Sequence, residues 1–259
     1  MNVSAVMIVK NGARTIDKSL ESLKQFDDVV VYDNGSTDGT QVIAARYPNV
    51  QLIEGGFDGF GTTKNRAASY AKHDWILIID SDEVVDDELL HALKTEILDP
   101  NAIYIVNFLA YYKDIQIRYC GWNNQKIRRL YNKKITCFNN NMVHENIIDQ
   151  GMKKLSINGN MKHFSYLDLS DFMIKVDRYS TLFASNNVGL KRSSPTKAVL
   201  NAFYSFFRTY VLKRGFLDGY AGLVISFSHM ATNFYKYMKL YEMNKELNQE
   251  NILLQGIKV

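Results

Sequence analysis

Short apolar runs alternate with helical periodicities along the first hundred residues. Val3-Ser4-Ala5-Val6-Met7-Ile8-Val9 reads as a buried strand, and beyond the turn-prone Asn11-Gly12 the residues Ile16, Leu20 and Leu23 recur at helical spacing. A second unit follows, in which Val29-Val30-Val31-Tyr32 leads through the polar Asp33–Thr40 loop into a helix with Val42, Ile43 and Tyr47. A short strand at Val50–Ile53 runs through a glycine-rich stretch to a helix carrying Lys64, Asn65 and Arg66. Trp75–Ile79 is a fourth strand, ahead of a helix with Leu89, Leu90, Leu93 and Ile97. Strands alternating with helices of this length predict parallel pairing with helices on both faces, and ligands bind such sheets beyond the carboxyl ends of the strands. Asp33 and Asp80 both stand at such ends.

From Ile103 to about Phe164 the pattern changes to short strands and turns, and after Ser170 it becomes helical. The expected organisation is an α/β domain over 1–165, with halves of about 1–100 and 101–165, and a helical C-terminal region over 166–259. Between Pro195 and Val211 the residues Val199, Ala202, Phe203, Phe206, Phe207, Tyr210 and Val211 follow i, i+3, i+4 spacing. Such an aromatic stripe with basic flanks can lie on an anionic membrane surface or pack on the rest of the protein, and the amphipathic signal is the same in both cases.

The chain is 46% hydrophobic and 22% charged, an ordinary globular composition. Its formal charge of +4 is modest, but Lys191–Leu217 holds six basic residues and no acidic one, so the basicity is local and suits an anionic partner. Cys120 and Cys137 are too few and too ordinarily spaced for a zinc site or a disulfide framework, which makes a reduced, cytosolic setting the default. No basic and apolar leader precedes Val3, so export is not expected. The uncharged run Gly219–Tyr235 is 17 residues long and partly polar, short for a membrane span. No G-x-G-x-x-G follows the first strand and no P-loop pattern occurs, which disfavours dinucleotide dehydrogenases and P-loop enzymes. Nucleic acid is not an expected partner.

Candidate chemistry gathers where the fourth strand stops. Asp80-Ser81-Asp82-Glu83 puts three carboxylates within four positions, and they repel one another unless something positive sits there. The i, i+2 spacing of Asp80 and Asp82 places both on one side of an extended chain, where hard oxygen ligands hold Mg²⁺ or Mn²⁺ together with substrate phosphates. The competing reading is structural: Asp80 begins a turn, and Asp82 or Asp86 caps the following helix. His144-Glu145 is the only adjacent His-Glu pair, which also occurs as a plain surface pair, and Arg128 and Arg129 are candidate phosphate partners.

Asp33-Asn34-Gly35-Ser36-Thr37-Asp38-Gly39-Thr40, Lys64-Asn65 opening a helix and Asp80-Ser81-Asp82-Glu83 together resemble family 2 glycosyltransferases of the GT-A fold. Gly121-Trp122, Arg129-Leu130-Tyr131, Val143-His144-Glu145, Lys175–Ser180 and Arg214–Gly219 are similar to the bacterial subgroup that adds glucose to the heptose inner core of lipopolysaccharide or lipooligosaccharide. The similarity runs from about Val3 to Leu240. It implies a GT-A, Rossmann-like mixed and mainly parallel sheet flanked by helices, with a C-terminal helical extension. It also implies inverting transfer of a hexose, expected to be glucose, from a UDP-sugar to a lipid-linked oligosaccharide, by a protein peripheral on the inner face of the cytoplasmic membrane. Under the resemblance the first half of the domain takes the nucleotide-sugar and the second half the acceptor. Asp33 matches the aspartate that reads the uracil, and Lys64 the basic residue before the family asparagine, where arginine is more usual. Asp80 and Asp82 match the metal and ribose-diphosphate motif, with Asp82 as direct ligand. Ile8, Lys10 and Arg129 fall on the nucleotide-sugar side, and Trp122 and Arg128 on the acceptor side.

Such a transfer needs a divalent cation, Mg or Mn, with a cationic side chain to neutralise the departing diphosphate, and a base on the opposite face of the sugar. Glu145 is assigned as that base, with His144 orienting it or touching the metal, and Glu83 is the rival. Two other readings stand. A sugar-phosphate nucleotidyltransferase shares the carboxylates, but usually opens with a glycine-rich loop bearing a basic residue where this chain has Lys10-Asn11-Gly12-Ala13-Arg14. A non-catalytic membrane-surface protein could keep the same fold.

Overall fold

The computed structural model describes residues 2–123, 125–140 and 145–256, with side chains as far as Gln249. The chain falls into two compact units, the first comprising Met1–Leu109 and Asn124–Ser165 and the second Ala110–Asn123 and Tyr166–Val259.

In the first unit β1 (Val3–Val9), β2 (Val29–Asp33), β3 (Val50–Glu54) and β4 (Trp75–Ile78) pair in parallel in the order β3-β2-β1-β4. Their crossovers carry α1 (Ile16–Ser22), α2 (Thr40–Ala44) and α3 (Phe60–Ser69). β1, β2 and β4 are almost wholly apolar and buried because both faces are covered, while the edge strand β3 carries exposed Gln51 and Glu54. Met7, Val31 and Leu77 enter one core cluster and Val6, Val30 and Ile76 the other, which is the period-two alternation of an extended chain. The register Val9↔Asp33 aligns the carboxyl ends of β1 and β2, and Ile79 N donates to Val6 O at 3.0 Å as the chain leaves β4.

Beyond β4 the sheet becomes antiparallel. β5 (Glu83–Val85) and α4 (Asp87–Thr95) lead to β6 (Ala102–Tyr112), β7 (Ile115–Gln116), β8 (Gln125–Asn132) and β9 (Lys153–Tyr166), continuing the order as β4-β8-β6-β9-β5. β8 runs antiparallel to β4 and β6, and β5 antiparallel to β9. Of the short strands expected after Ile103, two are long and one medium, and the two-residue β7 is short. Their length is hidden in the sequence because β9 begins with four exposed residues in a row, which erases the alternation. The expected class holds: a mixed α/β sheet flanked by helices, parallel over β3-β2-β1-β4 and antiparallel beyond, with a C-terminal helical extension.

The second unit contains α5 (Leu169–Ser185), opened by the capping box of Asp168 and Asp171, and α6 (Pro195–Phe207), capped by Ser194. α6 runs on through a π-helical turn, Arg208–Leu212, and a 3-10 turn, Gly215–Asp218, to α7 (Gly219–Gly256). Tyr112, Ile117, Cys120, Phe172, Ala221 and Ile225 form its core. No helix among the described residues is long and apolar enough to cross a membrane.

Asp86 opens α4. Its carboxylate accepts from Leu89 N (2.8 Å), Asn160 N (2.9 Å) and Asn160 Nδ2 (2.7 Å), so one side chain caps the helix and ties it to β9. Asp86→Ala removes the cap and leaves the Asn160 donors unanswered, a loss of about 2 kcal/mol or more. Asp82→Asn, which touches no cap, should stay within about 0.5 kcal/mol of the parent. Urea denaturation of the two variants checks the contrast.

Candidate active site

The carboxylates after β4 separate. Past Ile79 the chain turns, Glu83 N donating to Asp80 O at 3.0 Å, so the extended geometry expected to put Asp80 and Asp82 on one side ends before it reaches them. The reason is that Glu83 must enter β5, which pairs with β9 and not with β4's neighbours. Part of the structural alternative holds: Asp80 opens a turn, and Asp86 rather than Asp82 caps the helix.

The positive charge the cluster requires is Arg129. β8 lies beside β4 and holds this residue buried, and its Nη2 donates to Asp80 Oδ2 at 3.0 Å and to Glu83 Oε1. The other Glu83 oxygen accepts from Asp80 N at 2.9 Å. Burial pushes the Asp80 carboxyl up, but Arg129 and Lys64 outweigh it and hold the group below the usual aspartate range. At Glu83 burial prevails over Arg129, reinforced by Asp80 and Asp82, and the carboxyl is raised well above its ordinary value. Arg129 Nε is buried without a partner among the described residues.

Asp82 turns the other way, to His163. The register Glu83↔His163 brings the imidazole Nε2 to 3.2 Å from Asp82 Oδ2, and Phe164 N donates to Asp82 O at 2.8 Å. Asp82, Glu83 and His163 offer ligand atoms that all lie within 4.8 Å of one another. Glu83 is taken up by Arg129, so Asp82 and His163 are the accessible donors. A carboxylate and an imidazole beside an open face suit a cation of the Mn²⁺ or Mg²⁺ kind. Sequence reasoning missed His163, since only the β5–β9 pairing connects it to Asp82.

α3 builds the opposite wall. Asn65 Nδ2 donates to Phe138 O and Phe138 N to Asn65 Oδ1, both at 2.8 Å, which clamps the chain at Phe138 to the helix. Gly61 permits the approach, for a Cβ there would stand 1.8 Å from Asn139 O. The neighbouring Lys64, buried, reaches Glu145 Oε1 at 2.6 Å, and Phe138 bridges to Ile147. Lys64, Asp80, Lys126, Arg128, Arg129 and Glu145 line a cleft of about 420 Å³. Arg128 also pairs with Asp149 at 3.0 Å.

Asp33, fully buried, accepts from Gly35 N and Ser36 N at 2.8 Å and from Gln41 Nε2 at 3.1 Å, all through Oδ1. Its Oδ2 has no partner among the described residues. Ile8 is paired in register with Tyr32 on the adjacent strand, and Lys10 is exposed just past β1. Trp122 belongs to the second unit, stacked on Tyr166 at 5.3 Å between centroids. His144 lies outside the described residues.

Comparison with known proteins points one way. The family model of glycosyl transferase family 2 matches residues 4–156. An uncharacterized glycosyltransferase of Rickettsia bellii is 28% identical, over 95% of this chain and 88% of that protein. The lipopolysaccharide core biosynthesis glycosyltransferase LpsC of Rhizobium meliloti is 25% identical over 96% of each. Among solved structures, S. aureus TarS 1-349 in complex with UDP aligns with 96% of this chain and 92% of that one, at 13% identity and a TM-score of 0.47.

Arg129→Met leaves Glu83 in a water-excluded site without its counter-charge, which should cost about 3–5 kcal/mol at pH 7. The deficit narrows on acidification. Arg129 lowers the Glu83 carboxyl in the parent, so without it the folded pKa stands higher still, and the variant's folded state binds more protons than the parent's and gains more stability as pH falls. Asp80, depressed in the folded state, loses its contribution only below the usual aspartate range, outside this window. Urea midpoints at pH 7 and pH 5 test the sign; a deficit that widened at pH 5 would contradict it.

Proposed function

The chain belongs to glycosyl transferase family 2, and from that premise we propose that it moves a hexose, glucose in this reading, from a UDP-sugar to an inner-core sugar of lipopolysaccharide or lipooligosaccharide with inversion. Sugar transfer is the family's chemistry; the donor, acceptor and roles below are the proposal. The observation that carries it is the meeting of Glu145 and Lys64 with Asp80, Lys126 and Arg128 in one cleft. The likeness to LpsC supports the class of acceptor. The acceptor is lipid-linked and is met at the inner face of the cytoplasmic membrane.

Asp33 offers its unpartnered oxygen to the nucleobase, with Ile8 and Lys10 beside the nucleoside. Asp80, kept ionised and in place by Arg129, faces the ribose-diphosphate, and Lys126 adds positive charge at the cleft. Asp82 with His163 would hold a divalent cation, which supplies charge neutralisation for the departing diphosphate. Glu145 takes the proton of the attacking hydroxyl. Lys64 fixes its orientation through Oε1, and Arg128 is the acceptor-side residue of the first unit. Glu83 suits the base role poorly: it is 1% exposed and both its oxygens are engaged.

Glu145→Gln should lower kcat by about 10²–10⁴ with little change in the KM for UDP-glucose, the signature of an interaction made in the transition state. UDP release with truncated lipooligosaccharide, over a panel of UDP-sugars, is the assay. Near-normal turnover in Glu145→Gln together with loss in a folded Glu83→Gln would transfer the role to Glu83. Formation of UTP from UDP-glucose and added pyrophosphate would replace transfer with nucleotidyl chemistry.

Asp82→Asn and chelation by EDTA should each abolish transfer, and added Mn²⁺ should restore the chelated enzyme but not the variant. Full activity in EDTA would remove the metal from the scheme.

A further inference from the structure

We propose that the second unit docks on an anionic lipid surface through the outward stripe of α6 and the turns that follow it. The inference rests on the reading above only for why a membrane should be met; the surface itself is argued from the unit alone. α6 has two distinct sides. Ala198, Ala202 and Thr209 are buried, Phe206 packs on Phe227 of α7 with ring centroids 5.0 Å apart, and Ser205 Oγ donates to His229 O at 3.2 Å. This is the side α7 covers. On the other, Leu200 (65% exposed), Phe203 (66%), Tyr204 (60%), Phe207 (50%) and Val211 (42%) recur every three or four residues, so they form one continuous stripe. In the 3-10 turn Phe216 and Leu217 are half exposed as well. Scattered apolar residues are normal on a surface, whereas a run of five large ones marks a contact.

Charge selects the occupant. Arg192, Arg208 and Arg214 are exposed around the stripe, Lys197 reaches back over the Tyr237 ring of α7 at 5.2 Å, and no acidic residue lies between Lys191 and Leu217. A second copy of the chain, meeting this face by a two-fold axis, would bring like charges together. An anionic bilayer answers both features, since apolar side chains enter the headgroup boundary while arginine and lysine reach the phosphates.

The test is flotation of the full chain with vesicles of phosphatidylcholine alone or with about a third phosphatidylglycerol, at low and high salt. The expected result is binding to the anionic vesicles, weakened by salt. Arg192→Ala with Arg208→Ala should reduce partitioning roughly 25-fold, about fivefold for each charge. Phe203→Ser with Phe207→Ser should abolish it. All four side chains are exposed, so UDP release on a soluble, delipidated core oligosaccharide should be unchanged, which separates loss of docking from loss of fold. Failure of the parent chain to float, or equal binding to neutral vesicles, would overturn the proposal. So would a parent dimer that the two serine substitutions convert to monomer without any vesicle binding. Flotation without any UDP release would leave the surface standing and sink the reaction, and the converse result would do the opposite.

Discussion

The site depends on one guanidinium. Three carboxylates in four positions at the end of a strand buried on both faces cannot persist without a cation, and Arg129 supplies it from the antiparallel neighbour of β4. At an effective dielectric of about 20, a unit charge pair near 3 Å is worth roughly 5 kcal/mol, while taking each ion out of water costs several kcal/mol. Attraction therefore offsets desolvation and leaves little surplus. What the arrangement contributes is placement. With Arg129 directed at Asp80 and Glu83, β8 cannot slip against β4, because a one-residue shift would turn the guanidinium to the other face.

From that constraint follows a division of work among residues that look equivalent in the sequence. Asp80 and Glu83 are occupied by Arg129, and the turn between them sends Asp82 to His163. One aspartate is thus set in position by a guanidinium and the other by an imidazole. On the far side of the cleft α3 performs a similar separation. Asn65 spends both ends of its amide on the backbone of Phe138, which leaves the preceding residue, Lys64, to reach Glu145. Backbone clamping and charge are carried by adjacent side chains, so the carboxylate is held without being consumed.

The parts legible in the sequence are those set by neighbours along the chain. The parallel strands β1, β2 and β4, the turn at Asp80, the cap at Asp86 and the position of Asp33 at a strand end all follow from runs, caps and turn residues within a few positions. Arg129 and His163 could not be placed in that way. Arg129 reads as a phosphate ligand until β8 is seen beside β4, and His163 carries no signal until β9 pairs with β5. The i, i+2 argument for Asp80 and Asp82 failed because it assumed the strand continued, whereas the pairing of Glu83 with β9 ends it. Each miss is a non-local pairing, and local propensity holds no information on those.

The aromatic helix was ambiguous for a related reason: an amphipathic stripe declares that one side is different, not which side meets protein. Small residues decide it here. Ala198 and Ala202 allow α6 to approach α7 closely, with Phe206 packed on Phe227 beside them, and Leu200, Phe203, Tyr204 and Phe207 are left on the opposite face. The two units consequently use charge in opposite ways. In the cleft Lys64, Glu83 and Arg129 are buried and paired, so these contacts are weakly screened and insensitive to salt. Around α6 Arg192, Arg208 and Arg214 are exposed on a segment, Lys191–Leu217, that holds no acid, and their attraction reaches only about a Debye length, roughly 8–10 Å at physiological salt. A charge arrangement of that reach cannot steer a distant solute, but it can hold a flat anionic surface once the apolar stripe has brought it close.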